Sequence, residues 1–464
     1  MTHDELQQAA HDHLLLHFSK QGIDDLLVLE RGEGPYVFDT KGKRHVDALS
    51  SLFCSQIGYS YGEEMAAAAA AQLTTLAFNT NWGTAHPAAI ELAAKLADVA
   101  PAGMERVFFT SGGSEAVEAA WKLAREYFLA IGQPQRTKAI ARHIAYHGVT
   151  LGALSFTGVP RFKEPFGRPA IDVTHVSNTN MFRGGPDGGR VTDEAAFCAA
   201  KLHEVEDAIL AAGPDEVALI IAEPVQNAGG CLVAPEGYWL GLRALADKYG
   251  ALLMADEVIC GCGRLGEWFA TSREGITPDL VSLAKGLTSA YAAMGAVVAA
   301  ERVIAPIAES GAVFRHGITF GGHPVSAAIA LKNMEIFERD GVLENVRALT
   351  PYLAEQLSTL LALPIVGDVR GDGFFWALEL VKDDDNTRFS QEERDRLLRG
   401  FLPGRLREAG LIARADDRGD AVLQIAPPLI SDKGVLDEIV AGLGDVLSDA
   451  GAEMGLTTTT AGVA

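Results

Sequence analysis

The sequence predicts an α/β protein built on a mainly parallel sheet with helices on both faces. Three observations predict it. Short, continuously apolar runs recur between residues 106 and 300: RVFFTS, TKAIARH, EVALIIAEP, ALLMADEV, DLVSLAKG and GAVVAA. Helical stretches, 193–212 and 236–249 among them, separate several of these runs. Most of the runs lack polar alternation, as strands buried on both sides do. In such a sheet, ligands sit beyond the carboxyl ends of the strands.

Around this sheet the elements follow in order. Residues 4–19 read as a helix with Leu14, Leu15 and Phe18 on one side. GPYVFDTKGKRHVDAL alternates and turns at Gly42, as a small hairpin does. YGEEMAAAAAAQLTTL and HPAAIELAAKLADVA read as helices, and RVFFTS runs into the amphipathic helix GGSEAVEAAWKLAREYFLA. After His323 come a long helix, a second helix (LENVRALTPYLAEQLSTLL) and a smaller alternating region. There VRGDGFFWALELV and AVLQIAPPLI are strands among two further helices. The expected division is 1–60 joining a small C-terminal domain at 323–464, with a large domain at 61–322. The LTTTTAGVA tail is expected to be disordered.

Composition narrows the functional classes. The 464 residues carry a net charge of −22, and nearly half are apolar. Nucleic acid and anionic membranes both need a basic face, so neither is an expected partner. The odd, scattered set Cys54, Cys198, Cys231, Cys260 and Cys262 is not a disulfide framework. The N-terminal stretch lacks the basic start and apolar core of a signal peptide. No apolar run reaches the length of a membrane span. A cytoplasmic protein is expected.

Three stretches carry chemistry. LLMADEVICGCGRLGEW contains Gly261, Gly263 and Gly266 spaced as G-x-G-x-x-G. Its acids Asp256 and Glu257 precede the glycines, and no good helix start follows, which disfavours a dinucleotide site. In FFTSGGSEAVEAAWKLAR a strand passes through Ser111, Gly112, Gly113 and Ser114 into a helix. Free N–H groups and a positive dipole end there suit a phosphate; the alternative is a helix capped by Ser114 with Glu115 in its first turn. In PDLVSLAKGLTSAYAAMG, Lys285 ends an apolar strand. A desolvated lysine titrates low and forms a Schiff base with an aldehyde; an ordinary strand-end lysine snorkels to water. Together a phosphate site, an amine and a carboxylate call for a cofactor with a phosphate, an aldehyde and a protonated ring nitrogen. That cofactor is pyridoxal 5′-phosphate, with Asp256 on the ring nitrogen.

With twenty-nine residues from Asp256 to Lys285, the chain resembles the class III aminotransferases. TSGGSEAVEAAWKLAR, AYHGVTLGA, IIAEPVQNAGG and GITFGGHPVSAA extend the likeness from about residue 29 to 430. The resemblance implies fold type I, like aspartate aminotransferase. Its large cofactor-binding domain holds a mainly parallel seven-stranded sheet, beside a smaller α+β domain. It implies a homodimer, or a tetramer, with active sites shared between subunits. Lys285 and Asp256 would be catalytic. Ser111, Gly112, Gly113 and Ser114 would hold the phosphate, Tyr146 and Val258 would flank the ring, and Glu223 would support the site. Thr319 would reach the partner's phosphate.

Arg414 in GLIARADDRGD matches the mobile carboxylate-binding arginine of the ω-amino acid–pyruvate branch. Ala228 stands where ornithine- and γ-aminobutyrate-type relatives carry a glutamate, which favours the same branch. Phe53, where many of that branch have tryptophan, and Trp82 are expected pocket walls. The implied reaction moves an amino group from an ω-amino acid or amine to a keto acid, with pyruvate expected, by a ping-pong route. An aminomutase of the same fold and a nicotinamide dehydrogenase on Gly261–Gly266 are the alternatives. No metal is expected: His11, His13 and His17 lack partner ligands, Cys260 and Cys262 lack a second pair, and His143 and His147 lack a helix.

Overall fold

The computed structural model describes residues 1–456, so most of the LTTTTAGVA tail lies outside the described residues. A seven-stranded sheet forms from Met104–Thr110 (β1), Lys138–Arg142 (β2), Asp172–Val176 (β3), Val217–Ala222 (β4), Leu252–Asp256 (β5), Leu280–Leu283 (β6) and Gly295–Ala300 (β7). Its order is β1-β7-β6-β5-β4-β2-β3. Only β7 runs against its neighbours, so the sheet is mainly parallel.

β4, β5, β6 and β7 are buried at every residue. Successive side chains serve opposite faces. Leu219, Ile221, Leu252 and Met254 pack with Ala116, Ala120 and Leu123 of the helix Gly113–Ala130. Ile220, Leu253 and Ala255 pack on the other face, with Val205 and Ile209 of Glu194–Ala212 and Trp239 and Leu242 of Tyr238–Tyr249. Asp193 caps the first of these helices, accepting the Ala196 N–H at 2.9 Å.

A second core joins the two ends of the chain. Val46, Ala48 and Ile57 pack with Leu378, Leu423, Leu443 and Leu447. Its sheet is antiparallel, in the order Val366–Asp372, Phe375–Leu380, Val422–Ile425, Arg414–Asp416. The helix Pro324–Arg339 gives Ala327 and Met334 to the first core and Ile336 and Phe337 to the second. Among the described residues, no helix is long and apolar enough to cross a membrane.

Three elements differ from expectation. The first helix spans only His3–His13. The residues beyond it leave helical geometry, and Phe18 packs on Phe162 at 5.3 Å between ring centroids. β3 was hidden because its sequence, DVTHV, is half polar and lies at the sheet edge. The N-terminal hairpin gains a third strand, Leu29–Glu33.

Candidate active site

The carboxyl ends of β5 and β6 open into a cavity of about 1460 Å³. Asp256 ends β5 and is 4% exposed. Its Oδ2 accepts from His147 Nδ1 at 2.8 Å; its Oδ1 accepts from Ser282 Oγ at 2.9 Å and from the Val258 N–H at 3.2 Å. Burial alone pushes this carboxyl up, but His147, Ser282 and Val258 outweigh it. The group is held below the usual carboxylate range and is ionised. His147 Nε2 is buried without a partner among the described residues.

Lys285 opens a 3₁₀ turn two residues after β6. Its φ of 42° is left-handed, a strained state for a side-chain-bearing residue. Asn333 Nδ2 fixes the turn by donating to Gly286 O at 2.9 Å and Leu287 O at 3.2 Å. Burial pushes the Lys285 amine down, and nearby Cys54, Asp256 and Glu223 pull it only partly back.

Beside the lysine wall, β1 passes through Ser111 into the helix Gly113–Ala130. The cap is Gly112, with no side chain bonded to the helix end, so the capped-by-Ser114 alternative fails. Ser114 Oγ instead accepts the Val149 N–H at 3.1 Å, and Glu115 turns back to take the Ser111 N–H at 2.8 Å. The leading N–H groups stay free for an anion. Gly148, at φ +117°, makes room: a β-carbon there would lie 2.5 Å from Ser114 Oγ.

Ser111, Gly112, Gly113, Ser114, Tyr146, Glu223, Asp256, Val258 and Lys285 all line this one cavity. Val258 stands beside Gly113, where a β-carbon would meet its Cγ1 at 3.0 Å. Tyr146 is set edge-on to Phe162, with the Arg418 guanidinium 5.8 Å from its ring centre. Glu223 braces this wall, accepting the Tyr146 N–H at 3.3 Å and the Asn227 N–H at 3.0 Å. Phe53 also borders the cavity but is 1% exposed, its ring set against Phe375 at 5.4 Å. Ala228 is fully buried outside the cavity, and Thr319 and Trp82 lie outside it on the exposed surface.

Arg414 also lines the cavity. The two nearby aspartates are already engaged. Arg418 Nε bonds Asp416 at 2.8 and 2.9 Å, and Arg161 and Arg399 each reach Asp417 at 3.1 Å. Arg414 therefore has no carboxylate partner among the described residues. Burial, with Arg418 adding to it, lowers its pKa to about 10, so it stays charged.

The residues around the cavity match pyridoxal phosphate group by group. A helix N-terminus free of side-chain caps suits the phosphate, an ionised buried carboxylate suits the ring nitrogen, and a desolvated amine suits the aldehyde. The glycine run does not match a dinucleotide. Gly261, Gly263 and Gly266 form a buried turn, and a β-carbon on Gly263 would strike Phe337 and Leu429 of the second core.

Sequence reasoning missed His147 as the partner of Asp256, Asn333 beneath the lysine turn, and the cavity wall formed by His17, Phe18 and Lys20. His147 stood in the AYHG stretch, but its spacing to His143 suggested only a metal pair. The sequence pattern places His17 and Phe18 on a helix face, but the helix ends at His13.

The class III aminotransferase family model matches residues 18–447. A probable aminotransferase of Mycobacterium tuberculosis is 48% identical over 94% of this chain and 93% of its own length. A putrescine–pyruvate aminotransferase of Pseudomonas aeruginosa is 40% identical over 89% of this chain and 88% of its own. An (S)-enantioselective ω-transaminase from Thermomicrobium roseum superposes with a TM-score of 0.92 at 38% identity, covering 97% of this chain and 99% of that one. The chain belongs to the class III aminotransferases, of fold type I, and its cofactor is pyridoxal 5′-phosphate.

Proposed function

We propose that this aminotransferase moves the amino group of an ω-amino acid or amine to pyruvate, in two half-reactions that share one site. The observation that carries this reading is a single cavity holding Asp256, Lys285 and an Arg414 with no carboxylate partner among the described residues. When bound, the cofactor supplies an aldehyde that condenses with amines and a ring that accepts electrons. Asp256 stays ionised and keeps the ring nitrogen protonated. The N–H groups at Gly113 and Ser114 would hold the phosphate, while Tyr146 and Val258 would flank the ring. Lys285 Nζ, lowered by desolvation, is the base that would move the proton of the amine-bearing carbon. Arg414 binds the carboxylate of the keto acid bidentately. Ala228, in place of an acid, leaves that arginine without an internal competitor. The pyruvate acceptor named for the Pseudomonas aeruginosa relative supports the same assignment.

The reading includes a homodimer. Trp82 and Phe320 are 62% and 61% exposed, and Phe78 packs on Phe320 at 5.7 Å, leaving an apolar surface beside Thr319 for a second copy to cover. The scattered free cysteines suit a cytoplasmic setting.

The test mixes holoenzyme, a panel of amine donors and pyruvate, and measures alanine. Alanine is expected, and Lys285→Ala should cut its formation by about 10³-fold or more. No alanine from any donor overturns the reading; faster glutamate formation from 2-oxoglutarate overturns the acceptor.

A further inference from the structure

Behind the lysine wall lies a buried charge that the reaction does not use. Arg264 is 0% exposed, and among the described residues no carboxylate hydrogen-bonds it. Its guanidinium serves four neutral oxygens from separate parts of the chain. Nη1 donates to Phe374 O at 3.1 Å and Pro427 O at 2.6 Å, and Nη2 donates to Ser50 Oγ at 3.2 Å and to Gln56 Oε1. A buried cation is costly: burial drags this one down to about 9, and the charge of buried Asp47 pulls it only partly back.

The segment it grips is strained. Ser50, Ser51, Leu52 and Phe53 have φ of 48°, 46°, 74° and 66°. L-residues visit this left-handed region singly, not in runs, unless surrounding structure over-determines it. Ser50 Oγ also donates to Ala426 O at 2.7 Å, and past the turn the Leu429 N–H donates to Gln56 O at 2.6 Å, so the stretch from Ser50 to Gln56 is clamped at both ends. The turn delivers Phe53 and Cys54 to the cavity wall. Past the turn, Gln56 presses on Gly286, the residue after Lys285. A β-carbon on Gly286 would lie 2.5 Å from Gln56 Nε2 and 2.9 Å from Cys262 Cβ. The lysine backbone at φ 42° is thus seated against a glutamine that Arg264 holds.

We infer that Arg264 is a positioning residue: its guanidinium locks the left-handed turn Ser50–Phe53 and, through Gln56, the backbone that carries Lys285. A neutral side chain would fill the volume without the burial cost, but only a planar fork spans Ser50, Gln56, Phe374 and Pro427 together. This inference rests on the transamination reading of the cavity.

Cys54 is the reporter, being half-buried at the end of the turn while Cys198, Cys231, Cys260 and Cys262 are buried. The measurement is the rate at which a small aromatic disulfide reagent modifies the holoenzyme, with Cys54→Ser giving the background. It needs no turnover, so it separates failure of this inference from failure of the functional reading. Arg264→Met should raise the Cys54 rate about tenfold, shift KM for a bulky aryl amine about tenfold and lower kcat for a small donor about tenfold, because the Lys285 backbone loses its seat. Arg264→Lys, which reaches fewer acceptors, should fall between Met and wild type. Should Arg264→Met not fold, Gln56→Leu keeps the cation, cuts the link to the lysine turn, and should move these readouts in the same direction. Wild-type labelling and KM in a folded Arg264→Met or Gln56→Leu variant, with only a lower melting temperature, would overturn the inference.

Discussion

Asp256 and Glu257 are consecutive, and both are buried, 4% and 1% exposed, yet their surroundings drive their carboxyls in opposite directions. Each accepts three hydrogen bonds. Asp256 faces the cavity and takes His147, Ser282 and the Val258 N–H. Glu257 turns toward the 3₁₀ helix Ala270–Glu274 and takes the Ala270 N–H at 2.5 Å, the Thr271 N–H at 2.9 Å and Thr271 Oγ1 at 2.6 Å. Asp256 lies below the usual carboxylate range, whereas burial pushes Glu257 up to about 7, with the charge of Asp256 adding to the rise. The number of hydrogen bonds does not separate them. What differs is an imidazole that shares a proton on one side, against neutral donors only on the other. One strand end thus holds a charge for chemistry and a neighbouring acid for structure.

Removing the cavity-side charge breaks the comparison most severely. Asp256→Asn keeps the shape and loses the ionised group, and kcat should fall about 10³-fold, measured with holoenzyme and a saturating amine. Next comes His147→Gln. Losing an imidazole bond to a charged acceptor, worth about 1.5–3 kcal/mol, should lower kcat/KM about tenfold to a hundredfold. With its imidazole partner gone, the Asp256 pKa rises, so the acid limb of the pH–rate profile should move to higher pH. An unmoved limb would place its control elsewhere than in Asp256.

The smallest effect is on the structural side. Glu257→Gln should leave kcat within about threefold of wild type. Because the folded-state pKa of Glu257 is raised, its contribution is full below the ordinary glutamate range and is lost as pH rises through about 7. The wild-type melting midpoint should therefore decline by a few degrees between about pH 5 and pH 8, and the variant's midpoint should decline less. Equal slopes would show that Glu257 is not the titrating group.

Much of this was legible in the sequence, for physical reasons. β4 to β7 announced themselves because strands covered on both faces leave no room for polar residues. Asp256 and Lys285 were readable because charges at the ends of apolar strands require a purpose or a partner. The strained turn was not readable: Ser-Ser-Leu-Phe contains no glycine, and the contacts that hold it come from Asp47, Arg264 and Ala426, the last two far away in the chain. The His147–Asp256 pair spans 109 residues, and the Arg161–Asp417 pair spans 256, beyond any local pattern. The glycine run misled because positive φ is demanded by packing under Phe337 and Leu429 as readily as by a phosphate.

The isolation of Arg414 has a kinetic consequence. Its neighbours Asp416 and Asp417 are bonded to other arginines, so among the described residues Arg414 has no carboxylate partner, inside a molecule whose net charge is −22. A keto acid must cross a repelling exterior before it meets an attractive interior. Dissolved salt screens the long-range repulsion more than the short-range ion pair. Carboxylate-bearing partners should therefore associate faster as ionic strength rises from low values, the reverse of the behaviour of an enzyme that steers its substrate from afar.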